Sequence, residues 1–146
     1  MKDVFIDNCS ATRFNNKMES EYLDLYLWLL NEGVLVVSDK LICEYSRSNS
    51  GYSMSGRNIL ILISELTRKG RLHKVGKDQI RKFMSKHFKK SVKLRSNVND
   101  HHHIPVVMLS NRKLALSLDG NFRYDVNNFP KFKAEAYEFP SDVKYN

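Results

Sequence analysis

The chain has 146 residues, 42% hydrophobic and 27% charged, a length that suits one domain and a composition that excludes disorder. Lys and Arg number 24 against 16 Asp and Glu, a formal charge of +8. That balance points to a polyanionic partner, with RNA, DNA and anionic membrane as the classes to separate. The two cysteines, Cys9 and Cys43, lack CxxC and framework spacing, which argues for reduced thiols in the cytoplasm. The opening apolar run is too short for a signal peptide. The greasiest stretch, Tyr22 to Val37, is broken by Asp24, Asn31, Glu32 and Gly33, so no membrane span is expected.

In chain order, Val4-Phe5-Ile6 reads as a buried strand that delivers the carboxylate of Asp7. Tyr22, Leu25, Tyr26, Leu29 and Leu30 fall at helical spacing, predicting an amphipathic helix from Glu21 to Asn31 stopped by Asn31-Glu32-Gly33. Val34 to Val37 is a continuous β-branched and leucine run, as in a strand covered on both faces. Ser38 or Asp39 can cap a helix carrying Leu41, Ile42 and Tyr45, with Glu44 in its first two turns. Arg47 to Ser55 reads as a polar loop. Ser55 is the expected cap of a helix over 56–69 with Ile59, Leu60, Ile63 and Leu66 inward. A further helix, about Lys77 to Phe88, carries Ile80, Phe83, Met84 and Phe88. Asn99 or Asp100 opens another, through Ile104, Val107, Met108 and Leu109, with Pro105 tolerated in its first turns. Lys113 to Leu118 reads as a strand ending on Asp119, and Glu135 to Phe139 as an edge strand. The alternation predicts an α/β three-layer sandwich with a central mostly parallel sheet and helices on both faces.

In open parallel sheets, ligands bind at the carboxyl ends of the strands. Asp7 and Asp119 end strands, and Glu44 and Asp100 sit on helices expected to face the same edge. Two carboxylates 4 Å apart repel by about 4 kcal/mol at an effective dielectric near 20, so such a group calls for a neutralising cation. Hard oxygen ligands favour Mg²⁺ or Mn²⁺. An Asp at a strand end also serves commonly as a turn or cap residue.

These residues resemble a family. Val4-Phe5-Ile6-Asp7-Asn8 is similar to the opening strand and first acid of a PIN domain. Val34 to Ser38 followed by Glu44 resembles the second strand and second acid. Asp100 with the helix to Leu109 resembles the third acid, and Leu116-Ser117-Leu118-Asp119-Gly120-Asn121-Phe122 the Thr-x-Asp-x-Asp-Phe signature. The ordered set spans most of residues 3–130. The resemblance implies a PIN-like nuclease domain over 1–130, with a basic helical segment at 56–96 and a C-terminal extension at 131–146. It further implies a metal-dependent endoribonuclease leaving 5′-phosphate and 3′-hydroxyl ends, in the setting of a toxin of a toxin–antitoxin pair. Asp7, Glu44, Asp100 and Asp119 would be the catalytic metal-holding acids, with Asn8, Ser10, Ser117 and Asn121 behind them. Asn121 replaces a further acid and Ser117 the commoner Thr; a His101-His102-His103 run is no family hallmark. Expected partners are RNA, an antitoxin protein and a second copy of the chain.

Twelve of the basic residues lie between Arg68 and Arg95, with Asp78 as the one acid among them. Arg68, Lys69, Arg71, Lys74, Lys77, Arg81, Lys82, Lys86, Lys89 and Lys90 are the candidate RNA contacts, since an acidic site needs a cationic flank to hold phosphates. The run reads equally as a solvated helix face or a dock for an acidic protein. Tyr52, Phe88 and Tyr124 are candidates to stack bases or to pack. Gly70 and Gly76-Lys77 do not fit a phosphate loop, because the spacing is one residue long and Asp78 replaces Ser or Thr. The three histidines read as a solvated helix start, and Cys9 as packing. Two other functions remain: a non-catalytic RNA-binding or scaffold protein on the same fold, and a structure-specific DNA nuclease.

Overall fold

A computed structural model describes residues 2–15, 19–51 and 56–146. Five parallel strands form one sheet: β1 (Asp3–Ile6), β2 (Val34–Val37), β3 (Leu72–Lys74), β4 (Leu114–Leu116) and β5 (Glu135–Tyr137), in the order β3-β2-β1-β4-β5. Val4 pairs with Leu35, and Ile6 with Leu116. Every residue of β1, β2 and β4 is buried, as continuous apolar runs with helices on both faces require. The first helical layer holds α1 (Asn8–Ala11), α2 (Ser20–Asn31), α3 (Asp39–Asn49) and α4 (Ile59–Lys69). The second holds α5 (Lys77–His87), α6 (His103–Met108) and α7 (Gly120–Asn127). This is the three-layer α/β sandwich that the strand and helix alternation predicts. Among the described residues no helix is long and apolar enough to cross a membrane.

Several elements differ from the sequence reading. α3 runs on to Asn49, through the start of the expected polar loop. The reason is a buried amide ladder: Asn49 Nδ2 donates to Tyr45 O at 2.9 Å, and Asn58 Nδ2 to Asn49 O at 3.3 Å. α4 is capped by the Asn58 side chain on Ile61 N at 2.9 Å, and Leu62 rather than Leu60 or Ile63 is fully buried. Ser55, the expected cap, lies outside the described residues. β3 was not expected: at the sheet edge, with Leu72 and His73 half-buried and Lys74 exposed, it has no apolar signature. Asp100 closes a short 3-10 turn, Val98–Asp100, and α6 begins only at His103. Helix α7 follows β4 directly and was also not expected. β5 forms the predicted edge strand beside β4.

The carboxyl-terminal end of α2 is tied down by the basic segment. Arg71 Nη1 donates to Leu29 O and Gly33 O, each at 2.6 Å, and Nη2 donates to Leu30 O. Lys69 Nζ joins at Leu30 O, 2.8 Å. These four hydrogen bonds satisfy the Leu29 and Leu30 carbonyls that the helix end leaves unpaired, and that of Gly33 just beyond it. Gly70, at φ 71°, ends α4 in the left-handed conformation and turns Arg71 into this position.

Gly33 closes the same corner. A Cβ there would meet the Trp28 ring at 2.6 Å, and Trp28 in turn packs on Tyr145 at 5.0 Å between ring centroids. Gly33→Ala is expected to cost about 1–3 kcal/mol, the usual penalty of overpacking, read as a lower urea midpoint with an unchanged slope.

Candidate metal centre and its cationic flank

The strand order sets the place of the site. From β1 the chain builds outward to β2 and β3, then returns to add β4 and β5 on the other side of β1. The reversal falls between β1 and β4, and ligands of open α/β sheets bind at that point, beyond the carboxyl ends of the strands. Asp7 leaves β1 there, and Ser117 and Asp119 leave β4.

Asp7 is 9% exposed. Its Oδ1 caps α1 by accepting from Asn8 N at 2.9 Å. Its Oδ2 accepts from Ser117 Oγ at 2.7 Å and from Cys9 Sγ at 3.4 Å. The Ser117 hydroxyl also accepts from Asp119 N at 3.1 Å, so one buried hydroxyl couples the ends of both strands. Asp119 caps α7, accepting from Asn121 N at 2.9 Å and Phe122 N at 3.3 Å. Backbone N–H groups at two helix starts therefore hold both carboxylates in place.

Glu44 reaches the cluster from α3. Tyr45 beside it is fully buried and donates its hydroxyl to Ile6 O, which fixes α3 against β1. Both Glu44 oxygens meet His103 Nε2, at 3.0 and 2.9 Å. Burial opposes the Glu44 charge, but the hydrogen bond and nearby charge of His103, with Lys40 and Arg47, outweigh it and hold the carboxyl below its usual range. Asp100 behaves in the opposite way. Burial first, and then the negative charge of Asp7, push its carboxyl up, with Asp119 and Glu44 adding to the effect against His103. Asp100 thus lies in the field of the other three acids.

Among the described residues, one donor atom each of Asp7, Glu44 and His103 lie within 4.8 Å of one another. Asp100 and Asp119 stand outside that trio. Two carboxylates and an imidazole at such separations fit one divalent ion, with the outer acids within its field. His103 is the functional candidate that the sequence reading placed wrongly. It is fully buried, not solvated, because α6 starts at its own position and turns the ring inward against Phe5, 5.8 Å between centroids. The signal available was its spacing: three residues after Asp100, one helical turn on. His102 is exposed, as a solvated helix start should be.

The other expected supporting residues divide. Ser117 contacts Asp7 directly, as described. Asn8 turns its side chain to Ser48 at 2.8 Å, away from the carboxylates. Ser10 is buried, with its hydroxyl lacking a partner among the described residues. Asn121 is exposed and reaches Asp119 through its backbone N–H. Cys9 touches Asp7, and burial followed by that charge pushes its thiol up.

The basic residues also divide. Arg71 and Lys69 are taken up by α2. Arg68 pairs with Glu65 at 2.6 Å, and Lys74 with Asp39 at 2.6 Å. Arg81 pairs loosely with exposed Asp78 at 3.3 Å. The side chains of Lys77, Lys82, Lys86, Lys89 and Lys90 make no hydrogen bond or ion pair among the described residues. α5 borders a cleft of about 380 Å³, with Lys40, Lys77, Arg81 and His102 around Ile80 and Met84. Lys40 reaches across to Asn99 O, tying α3 to the turn that carries Asp100. Phe88 packs in the core against Phe129, 5.6 Å between centroids, whereas the Tyr124 ring lies under the Arg95 guanidinium at 3.5 Å. Tyr52 lies outside the described residues.

No protein-family model matches the chain, and no curated protein matches it. A similar solved structure is the crystal structure of VapBC2 from Rickettsia felis bound to a DNA fragment from their promoter. The likeness covers 93% of this chain and 99% of that one, with a TM-score of 0.54 and 13% identity. The fold is that of a PIN domain. A shared PIN fold at this identity rests on topology and not on matched side chains, so the roles of the site residues come from the geometry above.

One supporting residue was invisible in the sequence. Asp125 on α7 is 2% exposed. It accepts from Arg95 N and Ser96 N, each at 2.8 Å, and from Ser96 Oγ at 2.5 Å. Ser96 O meets His101 Nε2 at 3.1 Å, so Asp125 anchors the segment leading to Asp100. Asp125→Asn puts an amide donor among these donors. It is expected to cost about 1–3 kcal/mol, as for a buried group left unsatisfied, measured by urea unfolding.

Proposed function

We propose that this chain is a divalent-metal-dependent endoribonuclease, acting as the toxin of a toxin–antitoxin pair. The observation that carries the reading is the meeting of Asp7, Glu44 and His103, with Asp100 in their field, at the switch point of a PIN-type sheet. Asp7, Glu44, Asp100 and Asp119 would hold Mg²⁺ or Mn²⁺. Such an ion, when bound, offsets charge on a phosphodiester and lowers the pKa of a water. Ser117 orients Asp7, and the α1 and α7 amides fix the Asp7 and Asp119 carboxylates in place. Lys77, Lys82, Lys86, Lys89 and Lys90 supply the phosphate contacts, beside the cleft edged by Lys40 and Arg81. Arg71 and Lys69 drop out of the RNA-binding set, being committed to α2. RNA, an antitoxin protein and a second copy of the chain are the proposed partners, in the cytoplasm.

Wild-type protein and Asp7→Asn are to be incubated with end-labelled RNA and with DNA of matched sequence, with Mn²⁺, Mg²⁺ or EDTA. The reading expects RNA cleavage that needs metal and is lost in the variant. Equal cleavage by both proteins would overturn it. RNA binding without turnover, equal in both, would favour a non-catalytic RNA-binding protein, and DNA cleavage alone a DNA nuclease. In EDTA, Lys82→Ala and Lys86→Ala are each expected to reduce the slope of log affinity against log salt by about 0.7, the value for one single-strand phosphate contact. Arg71→Met should lower stability and leave that slope unchanged.

A further inference from the structure

We propose that the buried imidazole of His103 is a ligand of the metal ion, and that this nitrogen donor biases the centre toward Mn²⁺ over Mg²⁺. The assignment rests on the metal centre proposed above and specifies which ion that centre takes.

Three observations point to it. First, the ring is fixed. His103 is fully buried at the first position of α6, packed on Phe5, so Nε2 is held toward the acids. Second, Nε2 meets both Glu44 oxygens almost equally, at 3.0 and 2.9 Å, and lies within 4.8 Å of an Asp7 oxygen. One N–H aimed between two oxygens serves neither well, whereas a cation beside Nε2 serves both carboxylates at once. Around an octahedral ion with donors about 2.1 Å away, neighbouring donors are about 3 Å apart and opposite ones about 4.2 Å. The Nε2–Glu44 separations match neighbouring donors, and the Asp7 oxygen lies within 4.8 Å of both residues' donor atoms. Third, Nδ1 has no hydrogen-bond partner among the described residues. The Glu44 contact puts the ring proton on Nε2, where an incoming cation would displace it, and a proton moved to Nδ1 would break no existing bond there.

The choice of ion follows from the donors. Mg²⁺ demands oxygen ligands and keeps much of its water. Mn²⁺ accepts carboxylate oxygen and, as a first-row transition metal, gains more from imidazole nitrogen. Four carboxylates alone would hold either ion, and a fixed nitrogen tips the balance.

The test reads metal binding in the full chain without RNA. Mn²⁺ is added and pulsed electron paramagnetic resonance records coupling to ligand nitrogen. The wild type should show an imidazole ¹⁴N coupling, which becomes a ¹⁵N coupling when the protein is made with ¹⁵N-histidine. His103→Gln keeps an amide donor for Glu44 but offers no ring nitrogen. It should lose the coupling, and its preference for Mn²⁺ over Mg²⁺ in competition should fall about 10–100-fold, the loss typical even of an outer-shell partner. A His101→Gln, His102→Gln double variant should keep both. Absence of nitrogen coupling in the wild type overturns the proposal, and that measurement needs no variant to fold. Persistence of the coupling or of the ion preference in His103→Gln also overturns it. Because no RNA is present, the outcome is separate from the nuclease reading. Cleavage with no nitrogen coupling would keep the nuclease and remove the ligand; coupling with no cleavage would do the reverse.

Discussion

The constraint behind the candidate site is the cost of gathering like charges at one end of a parallel sheet. A pair of carboxylates a few ångströms apart repels by several kcal/mol unless something opposes it. The fold supplies several opposing groups before any ion binds. Asp7 and Asp119 each cap a helix and accept backbone N–H bonds. The Ser117 hydroxyl donates to Asp7 while accepting from the Asp119 amide. The His103 imidazole faces both oxygens of Glu44. Asp100 has the least support, and burial with the neighbouring charges raises its pKa.

Charge is sorted over the rest of the molecule by the same sheet geometry. The acids converge where β1 and β4 end, and the lysines with unpaired side chains run along α5 and the segment after it. Between the two lie Lys40 and His102. Part of the basic composition has a structural task instead. Arg71 and Lys69 close the carbonyl end of α2, and Lys74 balances Asp39 beside the cleft. A cluster of basic residues in sequence therefore overstates the cationic surface open to a polyanion.

The apolar strands β1, β2 and β4 were legible because buried parallel strands have no polar face. The α2 stripe was legible for the reason that its 3.6-residue period matches its burial. β3 was not legible because an edge strand of two half-buried residues and one exposed residue carries no such run. The cap of α4 moved to Asn58 because its amides also close a ladder to Asn49, a long-range partnership that local propensity cannot signal. Asp125 went unnoticed for the same reason: a carboxylate inside a helix reads as solvent-facing until a distant loop folds over it.

The amino-acid sequence by itself determined the α/β class, the apolar strands, the order of the four acids along the chain and the excess of positive charge, since each is a matter of local pattern or composition. Only the tertiary structure decided which of three adjacent histidines turns inward, which basic residues stay unpaired, and that Glu44 meets His103 across 59 positions of sequence. Those outcomes depend on where α6 begins, where α2 ends and how α3 lies against β1. These are packing relations between distant segments, and they carry no signature in the residues on either side.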